Sequence, residues 1–397
     1  MPAPLEDITV TDVSQFISGP YCATLLAEMG AEVIKVEPPG GDPLRLLTAA
    51  IDPELEGLFC ALNKNKKGII LNLRSEEGAE VCRQLALRSD VLVENLGPGV
   101  MDGAGLGYEA LSKLNPRLVY VSITGFGKNG PLKERTSFDL IAQAMGGTIP
   151  LIGLLGGRPR IFIADITTGI YAALGAMLAL YRRKESGRGQ MVDISMQDVV
   201  YSINIGAFTH SLLSEGKSEQ IGFSFEHYPP GIKIPLYGIF PAMDGRVAIA
   251  AITDGQARRC FKALGVEELA DDKRFSNFLA RFEHDEQLLN VVSELTSRMK
   301  RDEVVRRLVE ARVPCGPVYE VSEVKKDGQL QAREMFHEVE YKGRRFPVPG
   351  VCLRLSQSPG AVKSPAPELG EHKKEVLGGM LKYSPEKIKE LEQSGAI

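Results

Sequence analysis

Across the first two hundred residues, short β-rich runs alternate with helical stretches, with glycine or proline at the joints. Ile8 to Val13 is one such run. Gly19-Pro20 then opens a helix, with Pro20 suited to a first helical turn, and Gly30 closes it. Glu32 to Glu37, carrying Val33, Ile34 and Val36, is the next strand. Strand, tight turn, helix and strand within about thirty residues make a βαβ unit. The pattern repeats, with strands expected at Gly68–Leu73, Val91–Glu94 and Leu118–Thr124 and helices at Ser75–Arg88 and Tyr108–Leu114. A chain built this way is expected to be α/β, with a Rossmann-like, doubly wound parallel sheet covered on both faces.

A long helix is predicted from Asp165 to Ser186. Ile170, Leu174, Met177, Leu178 and Tyr181 recur in it at helical spacing, Arg182, Arg183 and Lys184 fill its last turn, and Gly187 stops it. Gln190–Ile194 reads as one more strand. The character changes after about residue 215. Ser224–Ile234, with Pro229, Pro230 and Gly231, reads as a linker. Tyr237–Ile252 alternates like an antiparallel pair turning at Asp244-Gly245, and charged helices follow to Val313. The expected division is 1–200 for a large domain, 201–224 and 319–350 for linkers, and 225–318 for a smaller α/β domain. A proline-rich tail, 351–397, ends in a short helix near Pro385–Ser394.

Charge and composition exclude several classes. Lys plus Arg number 47 against 51 Asp plus Glu, so no basic nucleic-acid footprint exists at the level of the whole chain. No apolar run approaches the ~20 residues that span a bilayer, and MPAPLEDITV lacks a signal-peptide pattern. The six cysteines are far apart, without a CxxC pair, as in a reduced cytosolic protein. The expectation is a soluble cytoplasmic protein with neither a nucleic-acid nor a membrane partner. No GxGxxG follows the first strand, neither GxxxxGK[ST], HExxH nor GxSxG occurs, and His210, His227, His284, His337 and His372 show no ligand spacing.

What remains is a set of punctuated loops at strand ends, where an open α/β sheet places its ligand. Gly19-Pro20 is either ordinary turn chemistry or a helix start offering N–H groups to an anionic or carbonyl-bearing ligand. Asn63-Lys64-Asn65-Lys66-Lys67 is either a solvated turn or a phosphate contact. Glu94-Asn95-Leu96-Gly97-Pro98-Gly99 frees the backbone after another strand. Asp165 stands where the long helix begins. It reads as an N-cap, and also as a carboxylate that the helix terminus keeps ionised at neutral pH and available as a nucleophile.

Taken in order, these stretches resemble the family III coenzyme A transferases, the CaiB/BaiF family. The matching pieces are GPYCATLLAEMGAEVIKVEPPGGDPLR, LNKNKKGIILNLRSEEG, VLVENLGPGVMDGAGLGYEALSKLNPRLVYVSITGFGKNGP, SFDLIAQAMGG, IADITTGIYAALGAMLAL and GRGQMVDISMQD, then ELGEH in the tail. The resemblance implies a large Rossmann-like domain built from both chain ends, a small domain between them, and two subunits interlocked as rings. It also implies that CoA thioesters and carboxylic acids are the substrates, with no metal, nicotinamide or flavin. Asp165 in IADITTG matches the family's catalytic aspartate, which passes through a mixed anhydride and an aspartyl-CoA thioester. Ile17 and Ser18 match the first CoA loop, Leu71 and Arg74 the adenine and phosphate side, and Asn95, Leu96 and Gly97 the pantetheine arm. Arg135, Phe138 and Asp139 fall near the thioester.

The sequence departs from the family at Pro38, Pro39 and Gly103, where many members carry arginine. Lys64, Lys66, Lys67 or Arg74 is expected to compensate for those cations. The loop between Gly146 and Asp165 is also short. Two other readings stay open. A racemase of the same family would need a histidine where Ser137-Phe138-Asp139 stands. A catalytically silent subunit would pair with a paralogous chain as a heterodimer rather than form a homodimer. A small dicarboxylic donor such as succinyl-CoA is the expected partner of the reaction.

Overall fold

The computed structural model describes residues 2–51, 57–149, 161–206 and 234–397. The chain divides into two compact units, one of Met1–Tyr228 with Ala332–Ile397 and the other of Pro229–Gln331. The expected linker 201–224 and the Ser224–Ile234 segment lie almost wholly outside the described residues, as do His210, His227 and most of the Gly146–Asp165 loop.

The first unit is built on a six-stranded sheet. Its strands are β1 (Thr9–Asp12), β2 (Glu32–Glu37), β3 (Lys66–Ile70), β4 (Val91–Glu94), β5 (Val119–Thr124) and β6 (Met191–Ser195), in the order β3-β2-β1-β4-β5-β6. Every pairing is parallel. The central strands send alternate side chains into two separate cores, which explains the apolar runs of β4 and β5. Val33, Val91, Val93, Val119 and Val121 join one core with Cys22, Leu26 and Ala176. Ile34, Val36, Leu92 and Tyr120 join the other with Val81, Leu85, Val376, Leu377 and Leu391. The last three come from the chain's end, so the tail seals the second face of the sheet.

The stretch 319–350, read as a linker, instead holds a hairpin, β10 (Phe336–Tyr341) with β11 (Arg344–Pro349). Lys342 and Gly343 both take positive φ, 51° and 73°, which makes a two-residue turn whose twist matches its strands. Val339, Tyr341 and Val348 bury into a cluster with Ile17, Leu44 and Phe59. The second unit has an antiparallel sheet of β7 (Tyr237–Ala242), β8 (Gly245–Ala250) and β9 (Cys315–Pro317). Helices over 254–263, 285–297 and 301–310 cover it around Phe240, Val247, Phe261, Leu288 and Leu308. Its hairpin turns at Met243-Asp244 rather than Asp244-Gly245, because Gly245 pairs with Ala242.

The long helix runs Ile163–Ser186 and stops at Gly187 in the left-handed region. Among the described residues it alone is long and apolar enough to cross a membrane by length and composition, with a mean hydropathy of 1.6 over 18 residues. That corrects the expectation that no segment reaches this measure. Its buried face, however, is the small-residue one: Ala164, Thr168, Gly169, Ala172, Ala173, Ala176 and Ala179. Leu174, Leu178 and Tyr181 face outward at 52%, 60% and 71% exposure. A Cβ on Gly169 would lie 2.7 Å from the Ser18 carbonyl oxygen, and one on Gly175 would lie 2.5 Å from Val192, so close packing requires both glycines. Arg183 does more than meet the helix dipole: it donates to the carbonyl of Arg117 and pairs with Asp90 at 2.8 Å.

Candidate active site

Strand order reverses between β1 and β4, so the loops leaving their carboxyl ends open a crevice there, the usual ligand position in such a sheet. Asn95, just after β4, spans it. Its Oδ1 accepts the Gln15 N–H (2.7 Å), and its Nδ2 donates to the Gln15 carbonyl (2.8 Å) and to the Ser18 hydroxyl (3.2 Å). The β1 loop is held from its other side by buried charge. Lys35, fully buried, reaches the Ser14 carbonyl (2.5 Å) and Asp42 (2.9 Å), and Asp42 accepts the Phe16 N–H (3.2 Å). Phe16 is thereby kept at φ 63°, unusual for a bulky residue. Its ring meets that of Phe138 edge-on at 5.4 Å.

The first helix, Ser18–Glu28, starts one residue before Gly19, with Ile17 as its N-cap. Gly19 is required by crowding, since a Cβ there would meet that of Ser14 at 2.2 Å. Ser18 is buried, and its hydroxyl is near enough to the Asp165 carboxyl to favour the ionised form.

Asp165 lies in the first turn of the long helix, and here the structure corrects the sequence reading. The N-cap is Phe162, which makes no side-chain capping bond. The cap comes from Asp139, which opens the helix Asp139–Met145. Its Oδ1 accepts the N–H groups of Ala164 (2.9 Å) and Asp165 (3.2 Å). The helix terminus therefore serves Asp139, and Asp165 gains no side-chain cap from it. Burial and the neighbouring Asp139 charge push the Asp165 carboxyl up to about 7, against the lowering effect of Ser18. An Asp165 ionised throughout the neutral range is thus replaced by one that titrates within it.

The other expected residues separate into two groups. Ile17, Ser18, Asn95, Phe138, Asp139 and Asp165 are joined by the contacts just described. Leu96 donates its N–H to Glu94 (3.0 Å), and Gly97 is exposed on the same loop. Arg74, shortly after the edge strand β3, and Arg135, in the loop after β5, are exposed and belong to no ion pair among the described residues; Arg135 stands 5.7 Å over the Phe126 ring. The Leu71 side chain, 1% exposed, belongs to the core and cannot meet a ligand directly. The lysine cluster is also withdrawn. Lys64 pairs with Glu28, Lys66 with Asp12, and Lys67 with Glu32 and Glu375. Burial brings Lys66 down to about 8. No group of three or more His, Cys, Asp or Glu among the described residues could hold a metal ion.

The family model for CoA-transferase family III matches residues 5–373. The chain belongs to that family. It is 34% identical to the succinyl-CoA–L-malate CoA-transferase beta subunit of Chloroflexus aurantiacus, over 99% of this chain and 98% of that one. It is 35% identical to a formyl-CoA:oxalate CoA-transferase of Streptomyces coelicolor, over 99% of each. A CaiB/BaiF family protein from Brucella suis superimposes with a TM-score of 0.81 at 32% identity, covering 96% of this chain and all of that one. Family III enzymes act on CoA thioesters. Gly103 is exposed, and its side-chain direction is open space.

Two features of the site were not legible from the sequence. The capping role of Asp139 spans 26 residues of chain, and local capping rules do not reach that far. The bent conformation of Phe16 depends on Lys35 and Asp42, which read as ordinary strand and turn residues.

Proposed function

We propose that the protein is a CoA-transferase in which Asp165 carries the acyl group and then CoA. The observation behind this reading is a carboxyl in a half-buried helix start at the sheet's crevice, held by Ser18 and poised near neutrality. The Asp165 carboxylate attacks the thioester carbonyl of the donor. The C–S bond breaks, giving an acyl-aspartyl anhydride and CoA thiolate. The thiolate attacks the aspartyl carbonyl and releases the donor acid, leaving an aspartyl-CoA thioester. The acceptor carboxylate then expels the thiolate to form a second anhydride. Attack of the thiolate on the acceptor's acyl carbon forms the new thioester and returns the Asp165 carboxylate.

In this reading CoA lies along the loops carrying Ile17, Asn95, Leu96 and Gly97, with Phe138 and Asp139 near the thioester. Arg74 meets its phosphates, in place of the paired lysines, and Arg135 stands with Phe138 and Asp139 on the thioester side. The identity of the relatives supports succinyl-CoA as donor and a small carboxylic acid as acceptor. The outward apolar face of the long helix supports pairing with a second subunit, identical or paralogous.

Incubation with succinyl-CoA followed by intact-mass analysis tests the relay. A hydroxylamine-labile succinyl or CoA adduct is expected on the wild type and none on Asp165→Ala. Adduct on the alanine variant would move the chemistry to another residue, and no adduct on either with any acyl-CoA would favour a silent subunit.

A further inference from the structure

Given the nucleophile proposed above, on which this step rests, we infer that Gln143 is a positioning residue for it. Gln143 sets the start of the helix that carries Asp165 by holding two oxygens with one amide. It is fully buried, one turn beyond Asp139 on the same helix. Its Nε2 donates to Asp139 Oδ2 (2.5 Å) and to the carbonyl of Ile161 (3.1 Å). The other Asp139 oxygen takes the N–H groups of Ala164 and Asp165. An unbroken set of hydrogen bonds therefore runs from the Gln143 amide to the backbone of the nucleophile, while Ile161 is fixed just ahead of the helix.

The far end of the amide shows what the side chain is for. Gln143 Oε1 is buried and has no hydrogen-bond partner among the described residues. A buried acceptor left unpaired costs stability, and an apolar side chain of similar volume would avoid that cost. The value of the residue lies in its two donors. Both groups they meet are acceptors only, so the nitrogen end must face them. The helix start has no cap of its own at Phe162, which leaves Asp139 as its side-chain anchor and Gln143 as the donor that fixes Asp139. A displaced reacting atom is costly even when all the chemical groups remain, because the near-attack geometry is lost.

Gln143→Leu removes both donors at similar volume. With the native-like far-UV spectrum retained, KM for the acyl-CoA donor is expected within about twofold of wild type. The kcat is expected to fall on the order of ten- to a hundredfold. In a double-mutant cycle, Gln143→Leu added to Asp139→Asn should cost little more, because the second change cuts a chain already broken. Unchanged kcat, or full multiplication of the two losses, overturns the inference. If the leucine variant does not fold, Gln143→Glu provides the readout at pH 8. Its carboxylate faces Asp139 without donors, and the same kcat loss at unchanged KM is expected, while wild-type kcat overturns the inference. Absence of any adduct on the wild type would count against the transferase reading, whereas wild-type adduct with unaffected Gln143 variants counts against this inference alone.

Discussion

Asp165 is held in a state that favours reaction over stability. In an unfolded chain an aspartate ionises near its ordinary value of 3.8, but in the fold burial and Asp139 raise Asp165 to about 7. The folded state therefore binds this proton more tightly than the unfolded state. As pH rises from about 4 to about 7 the unfolded chain releases it first, and the stability of the fold falls across that window. Asp165→Asn removes the charge that causes this, so the variant is expected to melt a few degrees above wild type at pH 8 and close to it at pH 4.5. Equal melting shifts at both values would show that the carboxyl is not perturbed. The same titration governs reactivity, since only the ionised form attacks. Adduct formation on the wild type should rise through about pH 7 and level off above it. The identity of Asp165 was legible in IADITTG, but its environment was not, because that depends on Asp139 and Ser18 from two other elements.

At the scale of elements, the long helix shows what periodicity can and cannot reveal. The sequence placed the helix well and marked an apolar stripe at Ile170, Leu174, Met177, Leu178 and Tyr181. It could not say which stripe faces the sheet. The structure buries the alanine and glycine face, because small residues let this helix lie close to the first helix and bring Ser18 to Asp165. Gly169→Val is expected to destabilise the protein by about 1–3 kcal/mol through overpacking. It should also lower the rate of adduct formation, as the two helices part where the nucleophile and Ser18 meet. Denaturant unfolding and adduct kinetics on the same sample check both effects, and a variant with normal stability and rate would show that the approach of Gly169 to Ser18 is not constrained. The strands were legible because their buried positions feed the cores on either face of the sheet and are filled by Val, Ile and Leu. The hairpin at Phe336–Pro349 was missed because its prolines and charges resemble linker composition, while its register rests on the Lys342-Gly343 turn.

At the scale of the molecule, the outward stripe of the long helix is the largest claim the sequence made about itself without saying so. Replacing Leu178 and Tyr181 together by glutamate should leave the first unit folded, since both are mostly exposed, and should lower the mass measured by light scattering to that of one chain. A mass of two chains for the variant would place the proposed pairing surface elsewhere, and a wild type already at the mass of one chain would overturn the pairing itself. The α/β class and the six-stranded parallel sheet followed from the alternation of elements, whereas the assignment of chain ends to units depended on distant contacts. Those contacts have a consequence for the order in which the protein comes into being. The second unit is one uninterrupted segment and can gather its core soon after it leaves the ribosome. The first unit cannot. Its second core, begun by Val81, Leu85 and Leu111, stays incomplete through the synthesis of everything between, until Val376, Leu377 and Leu391 arrive. A nascent chain stalled within its last few dozen residues would hold an almost complete crevice on a sheet that water still reaches from behind.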